Sequence, residues 1–525
     1  MCPAQTLPRR IAGAKAASAW PAVAFLALLV VCLSPIVVTE IPAMVDYPNH
    51  LARMSILARA GTAQANPFYE VHWALYPNLA LDLIVPPVGR LIGVELAMKL
   101  FYIASQILLV AGAMALSFVV RGRVFAAGMV ACLFLYATPF AFGFVNFEFA
   151  LGVALFALAG WIKLAGRSLS LRLAVHAFAV IVLFMAHLFA LGIYGFTIGV
   201  IELWRIQSER PPLSQTFILI GGMAAPAAAI LAIMMATGGG VGGARTVWTI
   251  SSKIFWLSIL NGWSFPVGFL LMAIILLTVC FGFARGWFRF TGPGLWLACG
   301  YGALFFALPI RLFDTGYVDG RVLISAILIL PAFVAAQWPG ENARRFVWAT
   351  AAGVCLINVA YCASVQWNYR AEYQRLIAAF DLMPIGSRLL TANMLEDGDP
   401  PFDLRAYPMY HSATLAIYRR DAFVPTLFTY PGKQPLRPIS AVQNLGVPEG
   451  GPIPWRRLDS FVAGAPPSSV HRYARTWWRD FDYMLMLNPT PAPPRPDLLE
   501  LIGSGERFAL YRIKTRRVGQ PDSGF

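Results

Sequence analysis

A carboxylate, an imidazole and a guanidinium follow one another closely after the first long apolar run of the chain. They belong to Asp46, His50 and Arg53. Because these residues are four and three positions apart, a helix would place all three on one face. Such a group can take the proton of a hydroxyl and hold a phosphate. The alternative is structural, with Asp46 capping a helix that begins near Pro48.

Two further ionisable residues lie in short turns between apolar runs. Glu148 stands between Phe147 and Phe149, and a carboxylate at the edge of hydrocarbon is costly unless it is paired or used. A solvated turn residue is the alternative. His187 also lies between two apolar runs. A single histidine at such a place fits either a substrate contact or a purely structural role.

Charged residues cluster again from Arg311 to Arg321, with Asp314 and Asp319 between them. Guanidinium groups bind phosphate in a bidentate manner, so both arginines are candidates for holding a phosphate. Mutual pairing of the arginines with the aspartates is the alternative. The residues expected to contact a substrate are therefore His50, Arg53, His187, Arg311, Asp319 and Arg321.

The elements that must position these residues are membrane helices. Of the 525 residues, 58% are hydrophobic and 13% are charged, with a mean hydropathy of +0.63. A soluble protein could not bury so much apolar surface. The net charge of +15 does not indicate nucleic-acid binding, because the basic residues sit in short clusters between apolar runs. We therefore predict a polytopic α-helical membrane protein.

About eleven apolar runs have the length that crosses a hydrocarbon core of ~30 Å. They are Trp20–Val38, Val94–Val120, Val124–Phe142, Phe149–Ala165, Leu173–Ala186, Phe189–Leu203, Phe217–Ala236, Phe265–Phe283, Leu295–Ile310, Val322–Ala336 and Phe346–Val365.

The stretch Leu173–Leu203 decides the predicted topology. As one helix it would be about 46 Å long, well beyond the hydrocarbon core, whereas a break near His187 divides it into two short spans. With two spans, every even-numbered span ends in a basic loop, in keeping with the positive-inside rule. The N-terminus is then predicted to be cytoplasmic. Glu148, His187, the Arg311–Arg321 cluster and everything after Val365 would lie on the outer side.

These predictions divide the chain into two domains. The membrane domain would comprise residues 1–366, with a long first outer loop at residues 39–93 that contains helices at Pro48–Ala60 and Leu79–Ile92. The first of these fits an amphipathic helix lying in the membrane interface.

Residues 367–525 would form a small extracytoplasmic α/β domain. Its predicted strands are Arg388–Ala392, Ala413–Tyr418, Tyr483–Leu487 and Phe508–Ile513. The glycine-rich run at residues 237–243 lacks the ending of a phosphate loop, so no nucleotide role is predicted for it.

This layout resembles the GT-C superfamily of membrane glycosyltransferases, which includes protein O-mannosyltransferases and bacterial aminoarabinose transferases. The resemblance rests on Asp46 in a long first outer loop, on Glu148 in the next outer loop, on the many spans and on the C-terminal outer domain. It implies that Asp46 acts as catalytic base or as a ligand of the acceptor, and that Glu148 is the catalytic carboxylate of the second outer loop. Arg311 and Arg321 are placed as phosphate-binding arginines would be. Two departures concern the acids: Tyr47 follows Asp46 where many members have Glu, and Glu148 stands where Asp is frequent.

The resemblance implies transfer of a sugar from a polyprenyl-phosphate donor to a saccharide, lipid or protein acceptor at the outer face of the bacterial cytoplasmic membrane. No cofactor is indicated by the residues, although the departures leave open a divalent metal between Asp46 and Glu148. Two other functions fit the same layout: a transporter or flippase for a lipid-linked saccharide, and a non-catalytic envelope assembly protein.

Overall fold

The computed structural model describes residues 20–236, 246–312, 315–395, 407–448, 450–492 and 494–514. Within these ranges, eight helices are long and apolar enough to cross a membrane. They are Trp20–Val37, Val94–Arg121, Val145–Lys163, Leu169–Ala186, Leu188–Glu209, Leu213–Ala236, Phe265–Ala284 and Glu341–Phe380. The prediction of a polytopic membrane protein with a C-terminal domain is thus confirmed. The glycine-rich run at residues 237–243 lies outside the described residues.

The other three predicted spans form shorter helices. They correspond to Phe125–Leu133 followed by Thr138–Phe142, to Gly294–Ala307 and to Val318–Ile329. Prolines account for the interruptions, because a proline cannot donate the helical hydrogen bond and disfavours helical geometry in the residue before it. Pro139 opens the short helix Thr138–Phe142, Pro309 follows the second helix and Pro331 follows the third.

The predicted break at His187 is present. The helix Leu169–Ala186 ends directly before this residue and Leu188–Glu209 begins directly after it. The backbone of His187 is extended, with φ −168° and ψ 120°, and its ring Nδ1 accepts a hydrogen bond from the N–H of Phe189. His187 therefore caps the second helix of the pair.

The first loop contains the helices Tyr47–Arg59 and Ala80–Ile92 and the strand Tyr69–Val71. Both helices were predicted. The expectation that the first one lies in the membrane interface is wrong, because every residue from Tyr47 to Ala58 is buried within the protein. The C-terminal domain covers it: Asn49 donates to the carbonyl of Thr426 and accepts from the N–H of Phe428. We call Tyr47–Arg59 the first-loop helix.

A five-stranded mixed sheet forms the centre of the C-terminal domain. In spatial order its strands are Leu499–Ser504, Phe508–Ile513, Tyr483–Leu487, Leu389–Asn393 and Ile453–Pro454. The first three are antiparallel neighbours, and the last two run parallel to the strands beside them. Three predicted strands are confirmed. The short helices Trp455–Val462 and Trp477–Asp480 pack nearby.

The fourth predicted strand, Ala413–Tyr418, is wrong. Ser412–Thr414 forms a 3₁₀ turn and Leu415–Arg420 forms an α-helix. Leu, Ala and Arg in this segment are good helix formers. Asp421 ends the helix in the left-handed conformation, with φ 50°.

Two connections, one from the first loop and one from the membrane part, tie the C-terminal domain to the rest of the chain on the side of the first loop. Tyr69–Val71 pairs antiparallel with Leu436–Pro438, with Tyr69 opposite Pro438. The helix Glu341–Phe380 continues from the membrane part, through the predicted domain boundary at residue 367, into contact with the sheet. The candidate residues of the first loop thus lie beneath a domain assembled from the far end of the sequence.

Candidate functional site

Asp46 lies where the first loop meets the turn before the helix Val145–Lys163. The N–H groups of Val45 and Asp46 donate to the carbonyls of Ala141 and Phe142, each at 3.0 Å. Gly143 follows with φ +86°, and a Cβ there would stand 3.1 Å from the Cβ of Asp46. Glycine is therefore required for this close approach. Asp46 precedes the first-loop helix without making a side-chain capping bond, and its side chain is 16% exposed.

Glu148 is held in the first turn of Val145–Lys163, close behind this junction. It is buried, and its Oε2 accepts a hydrogen bond of 2.8 Å from Nε2 of Gln106. Tyr102 lies one turn before Gln106 on the helix Val94–Arg121. The charges of both Asp46 and Glu148 act on its phenol group. The two acids that were predicted from separate loops thus share one neighbourhood around Tyr102.

Arg321 brings a buried positive charge to the same place. Its guanidinium lies over the ring of Phe144 at 4.5 Å and over that of Phe147 at 5.5 Å. Both rings flank the turn that carries Glu148, so cation–π contacts hold the guanidinium beside the acids. Asp46 attracts the charge of Arg321. His187 in turn lies within electrostatic reach of Arg321.

His50 and His411 contact the same aromatic ring, that of Phe428. The ring of Phe428 meets His50 edge-on at 5.6 Å and His411 edge-on at 5.2 Å. Nε2 of His411 lies 3.6 Å from Oδ1 of Asp46. Burial lowers the pKa of His411 to about 3 and holds the pKa of His50 well below its ordinary value. Both imidazoles are therefore neutral at physiological pH.

The remaining predicted residues are held in ion pairs or lie at the margin. Arg53 forms a bidentate pair with Asp82, at 2.8 and 2.9 Å, and both side chains are buried. Arg311 is exposed on a short strand whose backbone bonds to Val247. Asp314 lies outside the described residues.

Asp319 is fully buried and its carboxylate accepts hydrogen bonds from four groups. They are Ser252 Oγ, Lys253 Nζ, Trp256 Nε1 and the N–H of Gly320, at 2.7 to 3.0 Å. Asp319 thus pairs with Lys253 and not with an arginine. These bonds use the capacity of the carboxylate, so the cluster predicted at Arg311–Arg321 divides into Arg321 at the site and Asp319 in a separate buried network.

Several buried polar atoms around Asp46 have no hydrogen-bond partner among the residues that the structure describes. They are Tyr47 Oη, His50 Nδ1, Tyr102 Oη, Gln106 Oε1, Arg321 Nε and His411 Nδ1. Buried polar groups in proteins are nearly always hydrogen-bonded, and exceptions mark places with a use for them. Their concentration beside the two acids identifies this junction as the candidate active site.

The sequence leaves open whether a divalent metal binds between Asp46 and Glu148. Over the described ranges, no three His, Cys, Asp or Glu side chains are grouped as metal ligands. Asp46 and Glu148 have His411 and Gln106 as neighbours, and a neutral histidine together with an amide suits the binding of a hydroxyl as well as that of an ion. We derive no step through a metal.

An apolar cleft of about 710 Å³ lies between the helices Leu169–Ala186, Leu188–Glu209 and Leu213–Ala236. Leu188, beside His187, lines one end, and Ile206 and Ile220 line the other. The polar groups on its wall already have partners: Glu202 accepts from Trp161 and Arg172, and His176 contacts Tyr194 and the carbonyl of Met223.

Three residues of the site, Tyr102, Gln106 and Phe428, were not predicted from the sequence, and His411 could not be placed from it. Tyr102 and Gln106 lie in an apolar span, where a buried polar side chain is itself a functional signal. His411 and Phe428 come from the C-terminal domain, and no local pattern connects them with Asp46. Their contribution depends on contacts between distant parts of the chain.

No family model and no curated protein matches the sequence. Among solved structures, the chain is similar to ArnT from Cupriavidus metallidurans bound to undecaprenyl phosphate. The TM-score is 0.54 at 13% sequence identity, with 94% of this chain and 98% of the other covered. At this identity the likeness shows that the two chains share an overall fold.

Proposed function

We propose that this chain is an inverting glycosyltransferase that moves a sugar from a polyprenyl-phosphate donor to a saccharide, lipid or protein acceptor at the outer face of the bacterial cytoplasmic membrane. The observation that carries the proposal is the meeting of Asp46, Glu148 and Arg321 beneath the C-terminal domain. The carboxylate of Asp46 is partly exposed, whereas that of Glu148 is buried and accepts a hydrogen bond from the amide of Gln106. A buried cation stands beside them.

The chemistry follows from these positions. The acceptor oxygen attacks the anomeric carbon while Asp46 takes the hydroxyl proton. The bond from that carbon to the phosphate oxygen breaks, and its electron pair leaves with the polyprenyl phosphate. Arg321 stabilises the charge that develops on this phosphate. Such electrostatic stabilisation is strongest in a site that excludes water. Glu148, fixed by Gln106, orients the acceptor hydroxyl.

The apolar cleft supports a lipid-linked donor. Its volume of about 710 Å³ falls in the usual range for ligand sites. Because its polar groups already have partners, it suits a hydrocarbon chain. Its end at Leu188 adjoins His187, which lies within electrostatic reach of Arg321. A phosphate at Arg321 and a chain in the cleft would therefore belong to one molecule. The solved structure of similar fold holds such a lipid, undecaprenyl phosphate.

The distribution of basic residues supports an outward-facing site. The helices Val145–Lys163 and Leu188–Glu209 begin at the candidate site and end near Lys163, Arg205 and Arg210. The helix Glu341–Phe380 has Arg344 and Arg345 at its start and reaches the C-terminal domain at its end. Basic loops thus lie away from the site, and the positive-inside rule puts them in the cytoplasm.

The experiment is a transfer assay on the purified full-length protein in lipid nanodiscs. A panel of undecaprenyl-phosphate-linked sugars serves as donors, an envelope fraction supplies acceptors, and release of undecaprenyl phosphate is measured. We expect release with at least one donor and a loss of about 10²- to 10⁴-fold in Asp46→Asn.

The matched control is His72→Gln, which changes an exposed histidine paired with Glu70. Full activity in Asp46→Asn would overturn the mechanism. Movement of the intact donor across a proteoliposome membrane, without release of undecaprenyl phosphate, would favour the transporter or flippase instead.

A further inference from the structure

The imidazole of His411 is held against the catalytic-site carboxylate by the C-terminal domain. Its ring is buried, edge-on to Tyr410 at 4.9 Å and to Phe428 at 5.2 Å. Its Nε2 faces Oδ1 of Asp46 at 3.6 Å. Hydrogen bonds of active sites are frequently this long without substrate and shorten in the reactive complex.

The segment behind this ring is hydrogen-bonded to the first-loop helix. The N–H of Phe428 donates to Oδ1 of Asn49 at 2.8 Å, and Asn49 Nδ2 donates to the carbonyl of Thr426 at 3.0 Å. Asn49 lies on the first-loop helix that Asp46 precedes. The segment that positions His411 is thus fastened to the same helix as the carboxylate, so the ring and the carboxylate keep a fixed relation.

We propose that His411 is a positioning residue that donates its Nε2–H to Oδ1 of Asp46, so that Oδ2 is turned towards the hydroxyl of the acceptor. This inference rests on the proposed function. The proton assignment follows from the contact, because the ring nitrogen that faces a carboxylate carries the hydrogen. The C-terminal domain then completes the active site and does not merely cover it.

Other charged or titratable groups also act on Asp46. From the described elements packed around it, these are Arg321, Tyr317 and Tyr102. The neutral His50 lies one helical turn further on, and its backbone N–H donates to the carbonyl of Asp46. Arg321 adds a charge that is also needed at the phosphate. A neutral donor is different: it stabilises the carboxylate and fixes its orientation without adding charge. Removal of His411 should therefore raise the pKa of Asp46 and also disorder the carboxylate.

The test compares three variants in the transfer assay with undecaprenyl-phosphate-linked sugar. In His411→Gln the side-chain amide nitrogen reaches the place of Nε2, in His411→Asn it reaches only the place of Nδ1, and His411→Leu has no donor. We expect His411→Leu and His411→Asn to lose about 10²-fold in kcat with little change in KM. The acid limb of their pH–rate profiles should move up by about one unit. His411→Gln should keep the wild-type limb and most of kcat.

Equal activity of His411→Gln and His411→Asn would overturn the proposal, and so would an unmoved acid limb in both donor-deficient variants. If His411→Leu does not fold, the pair of amide variants still decides. Absence of transfer in the wild type would instead refute the proposed function. Normal transfer in His411→Asn, together with its loss in Asp46→Asn, would refute the role of His411 alone.

Discussion

Nε2 of Gln106 donates to Oε2 of Glu148 across 2.8 Å, although neither residue is exposed to solvent. The bond fixes one oxygen of the carboxylate and leaves the other for a further partner. Glu148→Gln keeps the shape of the side chain but replaces one acceptor oxygen with an amide group. We expect transfer to fall by about 10²-fold through loss of acceptor orientation, measured as kcat by undecaprenyl phosphate release.

Gln106→Leu is the companion to this change. It leaves Glu148 intact but without its donor, so a smaller loss of kcat is expected. If Glu148→Gln had the kcat of the wild type, Glu148 would have no part in the reaction. The hydrogen bond between Gln106 and Glu148 would then be purely structural.

Arg321 gives a second prediction. Arg321→Gln removes the charge that would stabilise the departing phosphate, and loss of one such group typically costs about 10²- to 10³-fold in kcat. Arg321→Lys keeps the charge but loses the planar fork and part of the stacking on Phe144, so we expect partial activity. Retention of full kcat in Arg321→Gln would exclude a role at the phosphate.

The Arg53–Asp82 pair allows stability and substrate contact to be separated. Asp82→Asn leaves a buried guanidinium without its counter-charge, which typically costs about 3–5 kcal/mol. We expect a clear fall in Tm, which is measured by fluorescence-detected size exclusion after heating. The double variant Arg53→Met, Asp82→Leu should recover most of the Tm. Its transfer activity then tests whether Arg53 also contacts the substrate.

The buried histidines predict an acid sensitivity. The pKa of His411 is lowered from 6.5 to about 3 by burial, so the unfolded chain binds more protons between these values. The free energy of unfolding that depends on neutral His411 is therefore fully present above about pH 6.5, and it declines as the pH falls towards 3. We expect Tm to drop over this window and to drop less in His411→Leu. The same slope in both proteins would mean that other groups govern it.

The apolar cleft predicts a dependence on the length of the lipid. A side chain at Gly195 would enter open space inside the cleft. In Gly195→Leu we expect weaker use of undecaprenyl donors, seen as a raised KM, and little change for donors with a chain of two isoprene units. Gly221→Leu is the matched control, since Gly221 also faces open space but does not line the cleft. Equal KM changes for both chain lengths would contradict the cleft as the place of the lipid.

The sequence sufficed for features that local pattern determines. Apolar runs located the long helices, and the excess length of Leu173–Leu203 together with the basic loops located the break at His187. Prolines shortened three predicted spans, because a mean hydropathy does not register where the backbone loses a donor. The strand predicted at Ala413–Tyr418 was wrong because the apolar residues of this segment fit a strand or a helix equally well.

The site was accessible from the sequence only in part. Asp46 and Glu148 could be chosen because carboxylates beside apolar runs need an explanation. No pattern in the sequence connects Asp319 with Lys253, or Asp46 with His411. Such pairs depend on how distant segments pack, and single-chain periodicity carries no information about this.

The pairing of Tyr69–Val71 with Leu436–Pro438 has a consequence for biogenesis. The first-loop helix leaves the ribosome long before the strand and the Phe428 segment that cover it, because 379 positions separate Asn49 from Phe428. During insertion its polar residues therefore stay uncovered until the segment around Phe428 has been synthesised. The candidate site therefore closes only after the C-terminal domain has been made, and a shorter chain in the membrane lacks the contact between His411 and Asp46.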